Sequence, residues 1–266
     1  MGERPSERSS PPPVGGVERG PTRRKTVVLT GASRGIGHAT AKRFASAGWR
    51  VVTVARTPFP PSCGFSPAKA DHVEADLADP AHFPEVVDAV VSRLDGTLDA
   101  LVNNAGIAPK RPDGSRLGVL DAPVSVWNEV LCVNLLAPAA LIRGLFTQLR
   151  GAGGSSVVNV TSIAGERYHP FAGAAYACSK AALTALTRDA ATELGPFGIR
   201  VNAVSPGEIA TTILTPGAEE VVGPRIPMGR LGTPEEVANI IFFLCSPEAG
   251  YVSGVDLPID GAERAW

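Results

Sequence analysis

The chain has 266 residues, of which 44% are hydrophobic and 19% charged; 25 Lys and Arg face 26 Asp and Glu, leaving a formal net charge of −1. That length suits one α/β domain with ample apolar material for a core, and so even a balance gives no electrostatic support to nucleic-acid or anionic-membrane binding. Four scattered cysteines without a Cys-x-x-Cys pair, and four dispersed histidines, indicate neither a metal site nor a disulfide framework.

With reduced cysteines and no run read as reaching transmembrane length, the expectation is a cytoplasmic protein. Met1 to Lys25 is rich in Pro, Gly, Ser and Arg and nearly devoid of large apolar side chains. It reads as a disordered leader ahead of a domain over 26–266, because such a segment buries too little surface to offset its ordering entropy.

Thr26 to Thr30 is a β-branched run of the kind that forms a buried parallel strand. It leads into Gly31-Ala-Ser-Arg-Gly-Ile-Gly37, and His38 to Gly48 then reads as a helix ending at glycine. Glycines there let the backbone approach a pyrophosphate, while the helix start offers N–H groups and a positive dipole end. A loop that merely needs flexibility on entering a helix would carry the same residues. The next strand, Arg50 to Ala55, ends without the acidic residue that would hold a ribose 2′-hydroxyl; Arg56 follows, and Arg34 lies in the glycine loop. Two guanidiniums and no carboxylate favour NADP(H) over NAD(H), unless both side chains merely face solvent.

Four prolines between Thr57 and Pro67 exclude an ordinary helix after the second strand. His72 to Ala75 reads as a third strand leading to Asp76-Leu77, where a side chain could meet an adenine ring. Pro80 to Leu94 reads as a helix with Val86, Val87, Val90, Val91 and Leu94 inward. Leu98 to Val102 is a fourth strand, followed by Asn103-Asn-Ala-Gly106, small and amide-bearing enough to run past a flat ligand. Val124 to Leu149 reads as a long helical region in which Pro138 implies a kink near Asn134. Ser156 to Thr161 is the fifth strand, delivering Ser162 at its carboxyl end, the edge where open parallel sheets bind ligands. A helix over Ala174 to Leu194 and strand Gly198 to Val204 follow, then an apolar helix, Glu235 to Cys245, and a last strand, Val255 to Ile259.

The helix from Ala174 carries Tyr176-Ala-Cys-Ser-Lys180. A phenol and an amine four residues apart share a helix face, and an amine beside a phenol lowers its pKa. With the Ser162 hydroxyl as oxyanion donor they would form an acid/base pair, although the tetrad by itself also occurs on solvated helices.

This ordered set resembles the short-chain dehydrogenase/reductase family over about residues 26 to 262. The matching pieces are Thr30 to Gly37, Asp76-Leu77, Asn103 to Gly106, Asn134, Ser162, Tyr176-x-x-x-Lys180, Pro206-Gly207, Met228 to Val237 and Ile259 to Gly261. Within the family it looks most similar to 3-oxoacyl-acyl-carrier-protein reductases and related carbonyl reductases. The resemblance implies a Rossmann-type doubly wound α/β sheet of about seven parallel strands flanked by helices. It also implies a homo-oligomer, dimer or tetramer, acting on a small carbonyl or alcohol substrate. As catalytic residues it implies Tyr176 as acid/base, Lys180 as its tuner and ribose anchor, Ser162 as alkoxide stabiliser, and Asn134 as holder of a relay water. The cofactor residues it implies are Gly31, Ser33, Arg34, Gly35, Ile36, Gly37, Arg56, Asp76, Leu77, Asn104, Ala105, Gly106, Tyr176, Lys180, Pro206, Gly207, Ile209 and Thr211. A non-catalytic NADP(H)-binding sensor or scaffold on the same fold is the alternative, one that needs the glycine loop but not the four polar residues together.

Three departures stand out. The proline-rich stretch alters the adenine-side wall. The loop Ile107 to Pro123 carries Lys110, Arg111 and Arg116, which could attract an anionic substrate but read better as a solvated charged loop. The segment Glu208 to Arg225, usually a lid in this family, is short. His169 and Phe171 read as pocket walls, and Cys178 as a small packing residue on the far side of its helix.

Overall fold

Thr26–Thr30 (β1) is buried at every position, as a strand covered on both faces must be. The computed structural model describes residues 23–59, 71–211 and 225–265. The other strands are β2 (Arg50–Ala55), β3 (His72–Glu74), β4 (Ala100–Asn103), β5 (Ser156–Val160), β6 (Arg200–Pro206) and β7 (Asp256–Ile259). They form one seven-stranded sheet in the order β3-β2-β1-β4-β5-β6-β7, parallel throughout. Val27 sits between Val51 of β2 and Ala100 of β4, so the winding direction reverses beside β1. In such sheets that reversal opens a crevice at the carboxyl ends of the strands.

Alternation along the strands divides the core in two. Val28, Val52, Leu101 and Val157 face one layer of helices: α2 (Phe83–Val91), α4 (Ala137–Gly144) and α6 (Ala174–Leu194). Val27, Leu29, Val51 and Val158 face the other, formed by α1 (Gly35–Ser46) and α7 (Pro234–Cys245), which pack on each other. Phe44 of α1 meets Val237, Ile241 and Leu244 of α7 there. Gly48 at φ 81 ends the α1 turn. Thr233 and Glu236 start α7 with a reciprocal capping box.

The helical region around Asn134 is more broken than a single kink. α3 (Val124–Leu131) passes into a widened π turn, Cys132–Leu136, before α4, and Leu145 separates α4 from α5 (Phe146–Gly151). Pro138 has no N–H for the carbonyl four residues back, that of Asn134, and its ring would crowd it; the ladder slips instead, with Ala137 N–H donating to the Cys132 carbonyl. Val124–Gly144 does reach the length and hydropathy of a membrane span, contrary to the reading of the sequence. Here Val133, Ala137, Leu141 and Ile142 lie in the core against the sheet.

Residues 23–25, assigned by composition to the leader, are held at the amino edge of the sheet. Arg23 pairs with Asp99 at 2.8 Å, and Arg24 donates to the carbonyls of Gly48 and Trp49. The rest of the leader, most of the proline-rich stretch and the centre of the short lid lie outside the described residues.

Candidate active site

The glycine loop is fixed by its neighbours. Gly31 has φ 67, and a Cβ on it would lie 2.8 Å from Ala105 Cα. Asn104 Nδ2 donates to the carbonyls of Thr30 and Gly31, both at 3.0 Å, while Thr30 Oγ1 accepts from the N–H groups of Asn104 and Ala105. The turn after β1 and the turn after β4 are thereby laced together. Arg34, the residue before α1, is extended and gives its helix no side-chain cap, and no acid lies in the first turn. The leading N–H groups of α1 are left for a ligand, and an anion suits them.

Gly37 is the tightest point: a Cβ would stand 2.2 Å from the Gly31 carbonyl oxygen. Gly37→Ala should therefore cost about 1–3 kcal/mol, the usual range for overpacking, and weaken dinucleotide binding. Urea unfolding with a cofactor titration checks this; unchanged values would mean that the loop yields freely.

A cavity of about 500 Å³ opens at the carboxyl edge of the sheet, within the range of small-molecule sites. It is lined by every cofactor residue expected from the sequence, from Gly31 through Arg56, Asp76 and Asn104 to Pro206 and Thr211. Open helix N–H groups, an approach only glycine allows and the cavity's size together fit a dinucleotide. Arg34 and Arg56 are exposed on its rim, with Ala55 at the end of β2. Asp76 also accepts from Ala78 N–H, shaping its own turn.

The four catalytic candidates converge, with two differences from expectation. Ser162 and Tyr176 line the cavity together, the serine hydroxyl acting on the phenol to favour its ionised form, and Ser162 Oγ accepts from Ala164 N–H at 3.2 Å. That backbone donor occupies a lone pair and leaves the serine proton to be given. Gly165, which sequence reasoning missed, makes the approach possible: a Cβ would lie 2.7 Å from Ala181 N of α6. Lys180 is buried and donates to the Val160 carbonyl at 2.7 Å, with its Nζ 5.6 Å from the Tyr176 ring centroid.

The first difference concerns tuning. The phenol is raised by burial, only partly offset by the Ser162 hydroxyl and reinforced by the charge of Glu208. Burial lowers Lys180 to about 8 against the opposing pull of Asp256. With the amine turned to Val160, the lowering of the phenol by Lys180 expected from the sequence is not the balance found. The second concerns Asn134, which is fully buried and does not line the cavity. Its side chain accepts from Ile107 N–H and donates to the Ile107 carbonyl and Ser179 Oγ, bracing the loop after β4 from behind.

His169 and Phe171 line the cavity as expected. What spacing along the chain could not signal is the company of His169. Its Nε2 is 2.9 Å from Glu208 and 3.6 Å from Glu263, and all three residues are buried. Burial alone would lower the imidazole; hydrogen bonds and charge from the two carboxylates win and raise it to about 9. In the charged loop, Lys110 reaches the cavity, Arg111 pairs with Asp121, and Arg116 lies over the Tyr168 ring. Cys178 is exposed rather than packed, because the far side of its helix faces solvent.

Sheet order, glycine loop and the Ser162–Tyr176–Lys180 cluster define a dinucleotide-dependent α/β oxidoreductase. Residues 31–261 match the family model described as enoyl-(acyl carrier protein) reductase. The chain is 53% identical over 250 residues to protein FixR of Bradyrhizobium diazoefficiens, covering 93% of this chain and 89% of that one. It is 34% identical over 250 residues to the 3-oxoacyl-[acyl-carrier-protein] reductase FabG of Aquifex aeolicus, covering 89% and 96%. A crystal structure of a short-chain dehydrogenase/reductase family oxidoreductase from Brucella ovis, with partially ordered NAD, superposes with a TM-score of 0.78 at 48% identity, over 90% of this chain and 100% of that one. The protein belongs to the short-chain dehydrogenase/reductase family, NAD(P)-dependent oxidoreductases acting on alcohol and carbonyl groups.

Proposed function

We propose that the protein interconverts a ketone or aldehyde and the corresponding alcohol, with Tyr176 as acid/base and with NADP(H) preferred. The observation that carries the reading is that Ser162, Tyr176 and Lys180 line the same cavity as the glycine loop. The nicotinamide ring supplies or accepts the hydride when bound. Tyr176 gives its proton to the substrate oxygen as the carbonyl becomes a hydroxyl, and takes it back in the reverse direction; a phenol raised by burial is in the donating form at neutral pH. Ser162, held by Ala164 N–H, donates to the same oxygen while negative charge builds on it. Lys180 would offer a donor to the ribose of a bound cofactor and brings its amine near Tyr176. Asn134 keeps the adjoining loop in place. Purified protein mixed with NADPH and a panel of ketones, followed at the cofactor's absorbance, tests the reading; firm cofactor binding without oxidation would leave a binding protein instead.

The preference for NADP(H) is supported by Arg34 and Arg56 at the rim and by Ala55 where an acid would exclude a 2′-phosphate. Arg56→Ala should raise KM for NADPH about tenfold, the worth of one charge-assisted contact, with little change for NADH. An equal change for both cofactors would defeat the argument.

A further inference from the structure

Beside the reacting groups, the cavity wall carries a charged side chain that the chemistry above does not use. Glu208 lies two residues past the end of β6 and lines the cavity together with Ser162, Phe171 and Tyr176. One carboxylate oxygen lies 2.9 Å from His169 Nε2. No hydrogen-bond partner is found for the other among the described residues, and the side chain, though largely buried, forms part of the cavity lining. His169 is held from behind by Glu263 at 3.6 Å, and Glu263 by Arg167, whose Nη1 and Nη2 donate to its carbonyl and carboxylate at 2.7 and 3.2 Å. The chain Arg167–Glu263–His169–Glu208 thus holds the Glu208 carboxylate in one orientation at the cavity wall. Its charge is felt at Tyr176.

We propose that Glu208, oriented by His169, selects the substrate, taking hydroxylated carbonyl compounds and polyols and disfavouring aliphatic chains. This rests on the reading of the cavity as a carbonyl/alcohol site. Hydrocarbon laid against this carboxylate would desolvate it and return no hydrogen bond. A hydroxyl beside the reacting carbon offers it a donor, and a buried acceptor discriminates strongly against an analogue lacking the matching group. Lys110 and Glu129 bring further charged side chains to the lining of the cavity.

The test is calorimetric titration of the protein saturated with a redox-inert NADPH analogue, so that neither ketone turns over. Erythrulose and butanone have the same four-carbon ketone skeleton and differ in three hydroxyls. The wild type should bind erythrulose at least tenfold more tightly, and Glu208→Leu should abolish that preference while cofactor affinity stays within about twofold. Should the leucine variant fail to fold, Glu208→Gln, which keeps the shape and loses the charge, should still reduce the preference severalfold. Equal affinities in the wild type, or a preference that survives both substitutions, would overturn the inference. Turnover of the two ketones with NADPH is read separately. Selective binding without turnover would sink the reaction assignment alone, and efficient reduction of butanone in preference to erythrulose would sink the selectivity alone.

Discussion

Tyr176→Phe is expected to lower kcat/KM by about three orders of magnitude, in the middle of the range for losing a general acid, with cofactor affinity changed by less than about twofold. The ring is retained, so the wall of the cavity and its contact with Lys180 keep their shape. What goes is the phenol hydroxyl at the cavity wall beside Ser162, hence the proton that the substrate oxygen must receive. If Tyr176 served only to pack, kcat would scarcely move and stability would fall by about 1 kcal/mol for a lost hydrogen bond. Steady-state rates combined with a fluorescence titration of NADPH distinguish the two, and turnover within tenfold of wild type would remove Tyr176 from the mechanism.

Stability should decline as pH rises from near 6.5 towards 9, through His169. In the folded chain the imidazole is raised to about 9 from 6.5, so its contribution is complete below 6.5 and is lost on passing through 9. A shift of that size corresponds to about 3 kcal/mol. The charged groups around the ring are Glu208, Glu263 and, through Glu263, Arg167; deprotonation leaves the two buried carboxylates with one cation. Lys180 acts in the opposite sense, since burial lowers it to about 8 from 10.5, and between those values stability gains as pH rises. The His169 decline should therefore be cleanest below pH 8. Urea unfolding at pH 6, 7, 8 and 9 should show it in the wild type, and His169→Gln, which can still donate to Glu208, should flatten it. Parallel curves for the two proteins would mean that His169 is neutral throughout.

Much of the architecture was legible because the signals are local. Apolar runs between glycine or proline breaks marked all seven strands to within two residues, and α6 matched its expected bounds, Ala174–Leu194. Where competing local rules met, the sequence was less exact. Pro138 announced a disturbance near Asn134, but whether an i−4 clash is relieved by a bend or by a π turn depends on what the helix packs against. Cys178 shows the same limit, since periodicity separates two faces of a helix without saying that the second is left to solvent.

The sequence by itself marked the strands, the glycine approach to a dinucleotide and Ser162, Tyr176 and Lys180 as candidates, because each depends on backbone conformation or residue type at fixed spacing; the doubly wound order came through the family resemblance that those motifs carry. Only the tertiary structure decided how those groups are charged and what surrounds them. It turned Lys180 to Val160, raised the Tyr176 phenol, withdrew Asn134 behind the wall, and placed Glu208 and Glu263 on either side of His169. The reason is that desolvation and charge pairing are set by neighbours brought from distant parts of the chain, and no spacing along the chain records them.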